Sequence, residues 1–189
     1  LIVSGEISAD GQNAIEACPG TTTEDCGGGA GGSIWMITNY LEGTGEIHSN
    51  GGAGHEGGWA GQGGGGSGGR IALEYHELSG FTGHIYAHGA NRAGGGDTGG
   101  AGTVYYEQIG VHPDQGGDLY IDNNGNNHRH SGIVESSCTD QPSPAHGGCT
   151  FNSIILGTDL NGDSLQGFGH LDFLGTGSAL TINSSTIIG

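Results

Sequence analysis

The chain contains no lysine and only three arginines, Arg70, Arg92 and Arg129, against 20 acidic residues. Its formal net charge of −17 argues against nucleic acid as a partner, because phosphate is held by cationic side chains. The same charge argues against anionic membrane surfaces. No run of about 18 apolar residues exists, so no membrane insertion is expected. Apolar residues make up 32% of the chain, too few for a thick core. A clean helical stripe is missing as well. No window longer than about ten residues carries a 3.6-residue apolar period without a glycine in it. Each interior glycine costs a helix about 1 kcal/mol. Chemistry-bearing motifs are also absent: no C-x-x-C, no H-E-x-x-H, no nucleophile elbow and no phosphate loop.

What remains is glycine, 45 of 189 residues, and a repeat. Gly31-Gly32-Ser33-Ile34-Trp35-Met36 runs on to Gly45-Glu46-Ile47-His48-Ser49-Asn50-Gly51. Gly68-Gly69-Arg70-Ile71-Ala72-Leu73 runs on to Gly83-His84-Ile85-Tyr86-Ala87-His88-Gly89. Each unit reads as two short strands and a turn, followed by a glycine tract. The second strand has an earlier copy at Glu6-Ile7-Ser8-Ala9 and a later one at Asp118-Leu119-Tyr120-Ile121. The first recurs at Thr103-Val104-Tyr105-Tyr106. Alternation of apolar and polar positions supports strands. One core column is then Ile7, Ile47, Ile85 and Leu119, and a second is Ile34, Ile71 and Val104.

Fixed-period repetition predicts a solenoid, in which each coil buries its inner face on its neighbours. The expected fold is all-β, a right-handed parallel β-helix with long glycine-rich loops projecting from one side. Residues 1–127 form the repeat region, with units near 1–32, 33–69, 70–102 and 103–127. Residues 128–150 are an insertion closed by a disulfide, and 151–189 are C-terminal β coils of the same stack. The glycine tracts admit two readings. They are flexible loops, or they stack as polyproline-II ribs whose backbones approach closely for want of side chains. Their equivalent points of departure favour ordered packing, with Trp59 as an anchor.

The four cysteines form two local pairs, Cys18/Cys26 and Cys138/Cys149. Without metal-ligand spacing, disulfides are favoured over free thiols, and they imply an oxidising, extracellular or cell-surface compartment. Asn183-Ser184-Ser185 is a glycosylation sequon, which fits the same location. The chain lacks an initiator Met and opens on strand-like Leu1-Ile2-Val3, so it reads as a mature chain or a segment of a longer one.

Gly63-Gly64-Gly65-Gly66-Ser67-Gly68-Gly69-Arg70-Ile71-Ala72-Leu73, with Gly99-Gly100-Ala101-Gly102-Thr103-Val104-Tyr105-Tyr106 and Leu119-Tyr120-Ile121-Asp122-Asn123-Asn124-Gly125, resembles a repeat region of very large secreted or surface proteins of bacteria and aquatic protists. The resemblance covers roughly residues 30–127. It implies a glycine-rich parallel β-solenoid with a structural or adhesive role, and it supplies no catalytic residues.

Asp10, Asn50, His88 and Asp122 fall in one column at a strand end. At the roughly 4.8 Å spacing of strands they read as a hydrogen-bonded polar ladder. A Ca2+ site is the alternative reading. Asp159, Asn161 and Asp163 echo the start of a calcium loop, but Ser164 and His170 stand where glycine and glutamate belong, so an ordinary turn is favoured. No other cofactor is implied. Glu46, Glu74 and Glu107 are the carboxylates a β-helical polysaccharide-degrading enzyme would need, but basic groups to hold an acidic sugar are scarce. The expected function is therefore non-enzymatic: a subunit or segment of an extracellular filament or surface fibre. It would join other copies head to tail by β-pairing through its apolar termini, Leu1-Ile2-Val3 and Thr186-Ile187-Ile188. The alternative is a carbohydrate-binding module using Trp35, Trp59, Tyr75, Tyr86 and Tyr105.

Overall fold

The computed structural model describes residues 1–14, 26–55, 63–91, 96–111, 116–124, 133–135, 149–156, 172–174 and 180–182. Among them the regular structure is strand alone. The strands are β1 (Glu6–Ser8), β2 (Ser33–Gly43), β3 (Glu46–His48), β4 (Arg70–Phe81), β5 (His84–Tyr86), β6 (Thr103–Gln108), β7 (Asp118–Ile121), β8 (Ile133–Glu135), β9 (Cys149–Phe151), β10 (Ser153–Leu156), β11 (Asp172–Leu174) and β12 (Leu180–Ile182).

Two sheets carry the structure. The first is three-stranded and parallel, in the order β1-β3-β5. Its register places Ile7 beside Ile47 and Ile47 beside Ile85. The second is five-stranded, in the order β10-β7-β6-β4-β2. There Ile34, Ile71 and Val104 pair side by side, as do Ser33, Arg70 and Thr103. The inner faces of both sheets share one core: Val3, Leu41, Ile47, Ile71, Leu73, Phe81, Ile85, Val104 and Tyr106 are buried together. Period-two alternation does this directly, because successive side chains of a strand point to opposite faces. β8 with β11, and β9 with β12, make two further parallel pairs.

The expected right-handed parallel β-helix is not what forms. The five-stranded sheet is mixed, since β7 runs antiparallel to β6, and no coil among the described residues closes into a solenoid. Leu119 accordingly leaves its expected column. It pairs with Tyr105 and Ile154, and lies in a second cluster with Ala101, Ile121 and Ile154. Connection geometry gives the reason. A parallel partner needs a crossover of a dozen or more residues, whereas an antiparallel one needs only a turn. In the first two units Gly43 and Phe81 are followed almost at once by β3 and β5 in the other sheet. β6 instead stops at Gln108, the chain turns through Gly110 at φ +82°, and it comes back along β6 as β7.

The glycine tracts are ribs lying side by side. Gly65 and Gly68 donate backbone hydrogen bonds to Asp97 and Gly100 of one neighbouring run. Gly66 and Gly69 donate to Gly52 and Ser49 of another. Gly28 and Gly31 donate to Gly64 and Ser67, and Gly29 and Gly32 to Gln12 and Ala9. Donors three residues apart reach the same neighbour. That is the period of a polyproline-II helix, which turns every three residues and makes no bonds within itself. The ribs carry the backbone bonding that a larger apolar core would otherwise have to shield.

Candidate functional site

Three features stand out on this frame: an open sheet edge, a polar ladder and an outer face. β2 ends the five-stranded sheet, and among the described residues only its far end is covered. Leu1 to Val3 lie along that far end. Ile2 bridges Glu42 in parallel, Val3 donates to the Glu42 carbonyl, and the amino terminus donates to the Tyr40 carbonyl at 2.8 Å. Of the three expected assembly residues at this terminus, Val3 is buried while Leu1 and Ile2 are exposed, Ile2 at 69%. The remainder of β2 adds Trp35, Ile37 and Tyr40, all exposed large side chains. Ile37 and Tyr40 were not singled out by the sequence. The alternation Trp35, Ile37 against Ile34, Met36 could have found Ile37; Tyr40 breaks that alternation beside the register shift between Tyr40 and Glu42, so no pattern in the sequence points to it. Thr186, Ile187 and Ile188 lie outside the described residues.

The ladder column is hydrogen-bonded from unit to unit. The Asn50 N–H donates to Asp10 Oδ1 at 2.6 Å, and the His88 N–H donates to Asn50 Oδ1 at 2.9 Å. His88 Nε2 stands 3.2 Å from Asp122 Oδ2. Beside it, buried His48 has Nε2 2.8 Å from Glu6 and Nδ1 2.8 Å from Asp10. Burial pushes the Asp10 carboxyl up, but the bonds from Asn50 and His48 outweigh this and hold it below the ordinary aspartate value. The rings of His48, Tyr86 and His88 stack at 5.2 and 4.7 Å. Asn123 extends the ladder inward. It is fully buried, its Oδ1 accepts from the Gly89 N–H at 2.7 Å, and its Nδ2 donates to the Gly99 carbonyl at 3.0 Å. These side chains tie one rib to the next. Among the described residues no group of three or more His, Cys, Asp or Glu is placed to hold a metal ion. Asp159, Asn161, Asp163 and the sequon Asn183 lie outside the described residues.

The outer face of the five-stranded sheet carries Trp35, Ala72 and Tyr105 in one lateral row, and Ile37, Glu74 and Glu107 in the next. Trp35 donates its indole N–H to Glu74 at 2.9 Å, and Tyr105 donates its hydroxyl to Glu107 at 2.9 Å. Burial, with Glu107 alongside, raises the Tyr105 phenol well above its ordinary value, so it stays a neutral donor. Tyr75 packs against the core, and Tyr86 is held in its ring stack with its hydroxyl on Glu46. Of the aromatic candidates, Trp35 alone is largely open, and Trp59 lies outside the described residues.

Cys26 is disulfide-bonded. Cys18 and Cys138 lie outside the described residues, and Cys149 opens β9. No helix among the described residues is long and apolar enough to cross a membrane. No protein-family model, no curated protein and no solved structure matches the chain.

Proposed function

We propose that the chain is an extracellular structural protein, a segment or subunit of a filament or surface fibre that assembles with copies of itself by β-pairing. The observation that carries this reading is the edge made by Leu1, Ile2 and β2. An unpaired edge with apolar side chains is a template for another strand unless charge, proline or a covering element blunts it. Here Trp35, Ile37 and Tyr40 stand exposed along it, and among the described residues only Leu1 to Val3 cover part of it. Strands of equivalent sequence already pair in register across β2, β4 and β6 within the chain, so an added strand of the same pattern meets a compatible surface. The disulfide at Cys26 and the strongly acidic composition support an oxidising, extracellular setting. No catalytic role enters this reading.

The test places charge on the edge, where lysine is the usual natural deterrent to strand addition. Ile37→Lys together with Tyr40→Lys alters exposed positions only. Wild-type protein is expected to form polymers in sedimentation and electron microscopy, and the double variant to stay monomeric with an unchanged circular dichroism spectrum. Wild-type protein that remains monomeric at high concentration, or a variant that polymerises equally, overturns the proposal.

A further inference from the structure

We propose that the outer face of the five-stranded sheet is a binding platform for a neutral polysaccharide, centred on Trp35. The proposal does not depend on assembly. Trp35 is 71% exposed, yet its one polar atom is already engaged by Glu74. What the residue offers to solvent is therefore the flat ring face, not the N–H. Directly beside it on β4 is Ala72, whose short side chain leaves the ring's flank clear, and beyond that stands Tyr105. An aromatic plate next to a low wall suits the apolar C–H face of a pyranose ring.

The next row supplies the polar half of such a site. Glu74 and Glu107 sit directly opposite each other on neighbouring parallel strands. Like charges at that position are destabilising, so the sheet pays for keeping both. Local rules are broken in this way at functional positions. Each carboxylate bonds an aromatic donor through one oxygen, Glu74 through Oε1 and Glu107 through Oε2. Among the described residues no hydrogen bond takes the other oxygen of either carboxylate. Acceptors of this kind bind hydroxyl donors, which sugars carry in quantity. Arg70, exposed one row away on the same face, adds a donor. Net charge decides the class: at −17 the chain repels uronates, sulfated glycans and phosphates, so the ligand is uncharged.

The experiment is affinity electrophoresis and pull-down of monomeric wild-type protein on cellulose, chitin, β-1,3-glucan and galactomannan, at low and high salt. Retention on at least one polysaccharide is expected, little changed by salt, with a shift of tryptophan emission. Trp35→Ala should weaken it at least tenfold. Glu74→Gln, which keeps an acceptor for the indole, should weaken it less. Both variants should retain the wild-type circular dichroism spectrum, because the ring they affect is exposed. Absence of retention on all four polysaccharides overturns the proposal. So does equal retention by Trp35→Ala, or binding abolished by salt, which would identify the face as a site for cationic peptides.

Discussion

Gly66 is the position at which the rib packing can be tested most directly. Its N–H donates to the Gly52 carbonyl at 2.8 Å, and its carbonyl accepts from the Ala90 N–H at 2.9 Å, so it joins two neighbouring runs. A Cβ added there would stand 2.0 Å from the Gly29 carbonyl oxygen and 2.5 Å from its carbon. Comfortable contact begins near 3.5 Å. The obstacle is backbone that itself accepts from Gly52, so no side chain can swing aside. Overpacking of this kind costs about 1–3 kcal/mol. Loosening two or three backbone bonds adds about 1 kcal/mol each. Gly66→Ala should therefore lose about 3–6 kcal/mol. Gly5→Ala is the matched control: nothing lies within 4 Å of its Cβ, and its φ is not in the left-handed region. It should gain about 0.4–1 kcal/mol through the unfolded chain. At about 2–4 °C per kcal/mol for a chain of this size, thermal unfolding should fall by about 6 °C or more for Gly66→Ala and rise slightly for Gly5→Ala. Two variants that melt within a degree of each other would show that close backbone approach does not hold the ribs.

Two further outcomes follow from the ladder. Asn123→Ala removes the bonds to Gly89 and Gly99 and should cost about 2–3 kcal/mol in urea unfolding, while Asn124→Gly, which keeps the backbone at φ +49° free of strain at an exposed position, should be far milder. The Asp10 carboxyl is held below its ordinary value of 3.8, so its contribution is present above that pH and is lost as pH falls through the lower folded value. Asp10→Asn should therefore lower the unfolding midpoint at neutral pH, and the gap to wild type should close in acid; a gap that stays constant from pH 6 to pH 2 would contradict this.

The repeat was legible because its non-glycine residues keep their order. Glu6-Ile7-Ser8, Glu46-Ile47-His48 and His84-Ile85-Tyr86 are β1, β3 and β5, paired in that register. The Asp10, Asn50, His88 column was legible for the same reason. Leu119 was misplaced because the pattern Asp118-Leu119-Tyr120-Ile121 fits either sheet, and nothing in the pattern says that β7 pairs antiparallel with β6. Asn123 could not be found from sequence. An Asn beside Asp122 and Asn124 looks like a turn, and nothing in the string says that its amide is enclosed by Gly89 and Gly99. The glycines carried two meanings that composition cannot separate. Gly43 is needed for its backbone, at φ +110°, while Gly66 is needed for the space its missing side chain leaves.

The reversal at β7 also bears on assembly. β2, β4 and β6 run one way, and β7 and β10 run the other. The two edges of the five-stranded sheet are therefore antiparallel to each other. If copies join β2 to β10 by simple translation, the new ladder is antiparallel and the contact, being heterologous, can continue without limit. If they join β2 to β2 about a two-fold axis, the ladder is again antiparallel but the contact closes at a dimer. Internal parallel stacking therefore cannot simply be extended through this sheet. The three-stranded sheet has no such reversal: its strands all run one way, and β1 presents a parallel edge at the same end of the molecule as β2. The β1 edge therefore separates a filament from a dimer: a two-fold contact would force an antiparallel ladder on β1, whereas translation sets β1 beside the β5 edge of the next copy in parallel, as the chain's own repeats pair there.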